Sequence, residues 1–213
     1  MQQFHNKYLK VPLLFSGGGG NVPEWRRHLQ PCEYIKSTGS SNILTNFDIK
    51  DINELEIKFY LNDTNSNYIF RNSNNTIRFD IYQNNGKYNF RAFCQNVITS
   101  AFSSFYANID LLFKWKKEEK HCWFNGEQNY INNNYQTFSQ NLHFYMQNNC
   151  IFYYSNSNLY NLVSCYVIDN YMDNKGNLCS SGVAGMVDTL TGVFYTNDGS
   201  GQFSHGEPIE IEI

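Results

Sequence analysis

The chain has 213 residues, of which 36 are aromatic (16 Tyr, 17 Phe, 3 Trp), 31 are Asn and only four are Ala. Charged residues make up 16%, and 16 basic side chains against 19 acidic ones leave a net charge of −3. So many rings and so little net charge exclude intrinsic disorder, and the shortage of good helix formers excludes a helical bundle. Aromatic residues favour strands, and Asn and Gly favour the turns between them, so an all-β chain is expected. Without a basic stripe there is nothing to neutralise a phosphate backbone, so nucleic acid is not an expected partner. No run approaches the roughly 18 apolar residues that a membrane-spanning helix needs.

Residues 1–30 read as an N-terminal arm and residues 31–213 as one β domain. Pro12, Pro23 and Pro31 fall at this end, and Gly17-Gly18-Gly19-Gly20 supplies a hinge. The run Val11–Phe15 follows Lys7 and Lys10 as a signal peptide would, but it contains Pro12, is too short, and has no small-x-small cleavage site after it. The stretch from Tyr8 through Leu13, Leu14 and Phe15 instead suits an added edge strand. Trp25, in Pro23-Glu24-Trp25-Arg26-Arg27, sits in one short helical turn opened by proline. The glycine run lacks the Lys-Ser/Thr that a phosphate-cradling loop requires.

Strands and turns then alternate. Leu55, Ile57, Phe59 and Leu61 interleave with polar residues at period two, the pattern of a half-buried strand. Ile77-Phe79-Ile81 repeats it, Asn84–Lys87 turns the chain, and Tyr88–Cys94 returns. Residues 107–115 and 120–124 flank a turn of alternating Lys and Glu, and Asn125-Gly126 marks the next hairpin. Further strands are expected at Leu142–Met146, Ile151–Tyr154 and Leu159–Ile168, with a turn at Asp173–Asn177. Short strands at such intervals mean a sandwich or barrel.

Motifs for chemistry are sparse. The six cysteines are never closer than 14 positions, which excludes a C-x-x-C pair, and Cys94, Cys122 and Cys165 fall in apolar runs as small hydrophobes. Reduced thiols made in a cytoplasm are the expectation. The five histidines follow no metal-ligand spacing, and no serine sits in a nucleophile elbow. Glu210 and Glu212 share a strand face, as do Glu54 and Glu56. Paired carboxylates at that spacing are a glycosidase geometry, but Glu alternating with Ile is also ordinary edge-strand protection. Asp169, Asp173 and Asn177 suggest a turn more than a calcium loop. No catalytic residue, cofactor or metal is therefore expected.

One string is more specific. Gly182-Val183-Ala184-Gly185-Met186-Val187-Asp188 is followed by Phe194-Tyr195-Thr196-Asn197-Asp198-Gly199-Ser200-Gly201-Gln202-Phe203. It resembles the closing signature of the concanavalin-A-like, laminin-G-like jelly-roll family found in bacteriophage structural and fibre proteins and in bacterial surface proteins. Glu33-Tyr34-Ile35-Lys36-Ser37-Thr38-Gly39 resembles that family's opening, and Trp123-Phe124-Asn125-Gly126 its central hairpin. The resemblance covers about residues 33–206 and implies an antiparallel jelly-roll sandwich. With the arm, it further implies a non-enzymatic virion component, a capsid or tail appendage assembled in the host cytoplasm. Its partners would be other virion proteins, further copies of itself, and host-surface glycans. A free-standing carbohydrate-binding module and a glycoside hydrolase are the alternatives. Asn, Tyr, Phe, Ile and Lys share A/T-rich codons, so part of the ring excess reflects genome composition and not sugar stacking.

Overall fold

Period-two burial runs through the computed structural model, which describes residues 22–37, 41–48, 51, 54–60, 67–72, 77–84, 87–94, 97–101, 110–116, 118–119, 121–124, 126–130, 141–146, 151–157 and 161–210. A short helix α1 (Trp25–His28) leads into β1 (Leu29–Pro31), β2 (Ile35–Ser37), β3 (Ser41–Asp48) and β4 (Glu54–Tyr60). Next come β5 (Asn67–Asn72), β6 (Ile77–Asn84), β7 (Lys87–Cys94), β8 (Val97–Ala101), β9 (Asp110–Lys116), β10 (His121–Phe124) and β11 (Glu127–Tyr130). They are followed by β12 (Asn141–Met146), β13 (Ile151–Ser157), β14 (Asn161–Val167), β15 (Tyr171–Met172) and β16 (Leu178–Cys179). The last are β17 (Ala184–Asp188), β18 (Phe194–Tyr195) and β19 (Phe203–His205).

Among the described residues the fold is β apart from α1, and every strand ladder is antiparallel. The larger sheet has 11 strands and runs β11-β10-β9-β4-β13-β14-β17-β18, with β1 on β14, β2 on β13 and β19 on β2. The second has six strands in the order β3-β12-β5-β6-β7-β8, and β15 and β16 form a separate hairpin. Each large sheet has a buried face, an arrangement consistent with a β-sandwich. In β4 Leu55, Ile57 and Phe59 are buried, and in β9 Leu111, Phe113 and Trp115 are. Ile43 and Phe47 of β3 belong to the other sheet, and the Phe47 ring meets Tyr195 edge-on at 5.5 Å. Burying each such ring contributes roughly 1.5–3 kcal/mol, so the core is where these sheets are held.

Two expectations change. The boundary at residue 30 lies inside the folded unit, because Trp25 is 3% exposed and packs with Leu29, Val167, Val187 and Phe194. The helical turn tucks its ring inward, so Trp25 belongs to the core and not to the arm. At the other end, Glu210 does not stand on a strand: residues 207–210 make only a bridge between Cys32 and Pro208 and a hydrogen bond from Ile209 N–H to the Pro31 carbonyl. Glu210 is exposed, and Glu212 lies outside the described residues, as do Tyr8, Leu13, Leu14, Phe15, the run Gly17, Gly18, Gly19 and Gly20, and Gly39.

Candidate functional site

Opening and closing strings meet in space. β2 and β19 pair with Ser37 opposite Phe203 and Ile35 opposite His205, and Gly206 N–H donates to the Tyr34 carbonyl at 3.0 Å. Asn197 closes the arrangement. Its side-chain oxygen accepts from Asn42 N–H and Gly199 N–H, both at 2.9 Å, and its amide donates to the carbonyls of Gly199 and Gly201. Beside it, the Asp198 carboxylate accepts from Leu44 N–H at 2.8 Å, and Asp198 N–H donates to the Asn42 carbonyl. These two residues thus cover the edge of β3 that β12 leaves free, doing a strand's work with one loop.

Asp188 shapes the turn from β17 into β18, accepting from Leu190 N–H at 3.1 Å and from the Thr191 hydroxyl at 2.6 Å. Gly185 lets β18 pass: a Cβ there would stand 2.3 Å from the Tyr195 carbonyl oxygen and 2.8 Å from the Phe194 ring. Gly182 turns at φ +90° with open space around it. The residues of the closing string therefore spend their polar atoms on one another, on β3, on the turn after β17 and on Asp173 and Lys175 of the β15–β16 hairpin. They form a clasp between the sheets, and their chemistry is that of folding.

No protein-family model matches the chain, and no curated protein sequence matches it.

Two concave regions remain. At the end where the chain enters the fold, a cleft of about 600 Å³ opens between α1, the β15–β16 hairpin and the turn after β17. Glu24, His28, Asn170, Tyr171, Met172 and Leu178 are among its lining residues. Met172 and Leu178 face each other across the hairpin and are 52% and 66% exposed. Val22, Ile168 and Leu190 are the other large apolar side chains exposed among the described residues. Val22 precedes Glu24 by two positions, Ile168 N–H donates to the His28 carbonyl, and Leu190 adjoins Thr191 of the lining, so all five gather at this end.

The hairpin is braced from beneath by Asp173. Its carboxylate accepts from Lys175 N–H at 2.9 Å, Asn177 N–H at 2.8 Å, the Asn177 amide at 3.2 Å and the Thr196 hydroxyl at 2.9 Å. This is turn chemistry, with the lone pairs committed to the protein. Burial alone pushes the carboxyl up, but those donors, led by Asn177 N–H, outweigh it and hold the pKa below the ordinary 3.8. A carboxylate with a lowered folded pKa adds stability above its unfolded value, and that stability is lost as pH falls through the folded one. Asp173→Asn is therefore expected to lower stability by about 2 kcal/mol at pH 7 and by much less near pH 2. Urea unfolding midpoints at the two pH values check this.

Nothing at this end suggests covalent chemistry. Cys32, Cys165 and Cys179 are buried thiols, and burial pushes the Cys32 thiol up to about 12, far from a nucleophilic thiolate at neutral pH. Among the described residues no group of three His, Cys, Asp or Glu side chains is placed to hold a metal ion.

The second region lies at the other edge of the large sheet, on the outer face of β9 and β10. An open hollow of about 320 Å³ is lined there by Leu112, Lys114, Lys116, Trp123 and Gly126. Alternation puts Leu112, Lys114 and Lys116 on the face opposite the buried Leu111, Phe113 and Trp115, and register sets Trp123 beside Lys114. Gly126, at φ +84°, makes the tight turn that ends the hollow. Sequence reading took Trp123 only as part of a hairpin. Its outward face follows from the burial of Cys122 and Phe124 on either side of it.

Proposed function

We propose that the protein is a non-enzymatic structural component of a bacteriophage particle, a capsid or tail appendage attached through its N-terminal segment. In this reading the two antiparallel sheets are a concanavalin-A-like jelly roll, and the particle holds several copies. The observation that supports it is the gathering of Val22, Ile168, Met172, Leu178 and Leu190 at the end where the N-terminal segment joins the fold. Exposed apolar side chains clustered around a cleft mark an attachment surface. β10 and β17 stand five strand spacings apart in the sheet order, about 24 Å, so attachment at one edge leaves the other free for display.

Purified particles analysed by mass spectrometry are expected to contain the chain in several copies. A Met172→Asp, Leu178→Asp variant is expected to fold normally yet be incorporated at least about tenfold less, since two buried apolar side chains are worth more than that factor. Particles lacking the wild-type chain altogether would end this reading. A second reading, a carbohydrate-binding module with no particle attachment, is favoured by the Trp123 hollow, and it expects full ligand binding after deletion of residues 1–21.

A further inference from the structure

We propose that the outer face of β9 and β10 is a binding site for a neutral glycan, with Trp123 and Leu112 as its apolar floor and the Lys114 and Lys116 ion pairs as its polar rim. This deepens the display half of the proposed function but does not depend on particle attachment.

The floor comes first. Trp123 and Leu112 are both half-buried, line the same hollow and are diagonal neighbours across the β9–β10 ladder, so the hollow offers an aromatic ring together with an aliphatic side chain. A pyranose has one face lined by C–H groups and an edge of hydroxyls, and it needs this pairing of flat apolar surface with polar rim. At about 320 Å³ the hollow falls at the small end of ligand sites.

The rim decides the charge of the ligand. Lys114 Nζ is 2.6 Å from Glu56 of β4, and Lys116 Nζ is 2.9 Å from Glu119 and 3.9 Å from Glu54. Each ammonium thus has its own carboxylate, and the pairs cancel at a distance. A polyanion would have to displace those carboxylates. A polyol would not, because a paired ammonium keeps spare N–H groups and a paired carboxylate keeps spare lone pairs, side by side, as vicinal hydroxyls require. The Glu56 pair also draws Lys114 away toward β4. The Lys116 ammonium stands 6.0 Å from the Trp123 ring centroid, at the outer limit of cation–π attraction, and is held by Glu119 more than by the ring.

The protein carries its own reporter. Of three tryptophans, Trp25 and Trp115 are 3% and 1% exposed, so a ligand-induced change in emission or in acrylamide quenching reports Trp123. The full-length protein is titrated to about 10 mM, roughly tenfold above a millimolar dissociation constant, with cellopentaose, maltopentaose, xylopentaose and mannopentaose, and with heparin as the anionic probe. At least one neutral oligosaccharide is expected to shift Trp emission and protect it from quenching. Trp123→Ala is expected to weaken binding about tenfold or more, read by saturation-transfer NMR. Should Trp123→Ala fail to fold, Lys114→Met removes an exposed rim donor without touching the core, and is expected to weaken the same sugar severalfold. Binding of heparin alone, silence with all four neutral sugars, or self-association that Trp123→Ala abolishes while sugars do nothing would each overturn the proposal. Since the measurement uses isolated protein, its failure leaves particle incorporation untouched, and the converse also holds.

Discussion

Gly185→Ala is expected to cost about 3 kcal/mol or more, the upper range for overpacking, because the added methyl meets backbone rather than a side chain that could turn away. A Cβ at 2.3 Å from the Tyr195 carbonyl oxygen forces β17 and β18 apart, and the Phe194 ring 2.8 Å away closes the other direction. The consequence spreads, since Phe194 packs with Trp25 and Leu29 in one core. Gly182→Ala is the control. It lies three positions earlier, at φ +90° with nothing within 4 Å, so it carries only the left-handed backbone penalty of about 1–2 kcal/mol. Urea denaturation of both variants separates the causes, and equal losses would show that contact with Tyr195 is not what Gly185 avoids.

Asn197→Asp is expected to be the second large loss, about 2–4 kcal/mol at neutral pH, although it changes one atom type. The acceptor toward Asn42 and Gly199 N–H survives. The two donors to the Gly199 and Gly201 carbonyls are replaced by a charged oxygen aimed at those carbonyls. Part of the loss should return below about pH 4, where the new carboxyl regains a proton to donate. Chemical denaturation at pH 7 and pH 3.5 tests the sign: an Asp variant that is less stable at the lower pH, relative to wild type, would contradict this account of the clasp.

How legible these features were depended on the range of the forces involved. β4, β6 and β7 stand where alternation placed them, because one apolar face and one polar face write a period of two into the residues themselves, and β9 and β10 stand where the charged turn between them placed them. β3 escaped that test. Its buried positions are Ser41, Ile43, Thr45 and Phe47, so two hydroxyls interrupt the apolar row. β17 escaped for the opposite reason: all five of its residues are buried, and a strand covered on both faces has no alternation to show. The turn at Asp173–Asn177 was readable from composition, and Gly176 takes a positive φ within it.

The closing string named the right residues while hiding their work. Asn197 caps a backbone N–H 155 positions away and Asp198 one 154 positions away, distances no local pattern can encode. Trp25 misled for a related reason. A short proline-led turn beside a glycine run looks like an arm, and only the pocket of Leu29, Val167, Val187 and Phe194 draws its ring into the core.

By itself the sequence determined a β chain and those strands and hairpins that carry alternation or turn residues, because ring content, scarce Ala and period-two burial are properties of neighbouring residues. The tertiary structure alone decided which edge of β3 needed a cap. It alone gathered the exposed apolar side chains at the N-terminal end and brought Trp123 and Leu112 into one hollow at the opposite edge of the sheet. Those are contacts between segments far apart in the chain, and their geometry exists only once the sheets have formed.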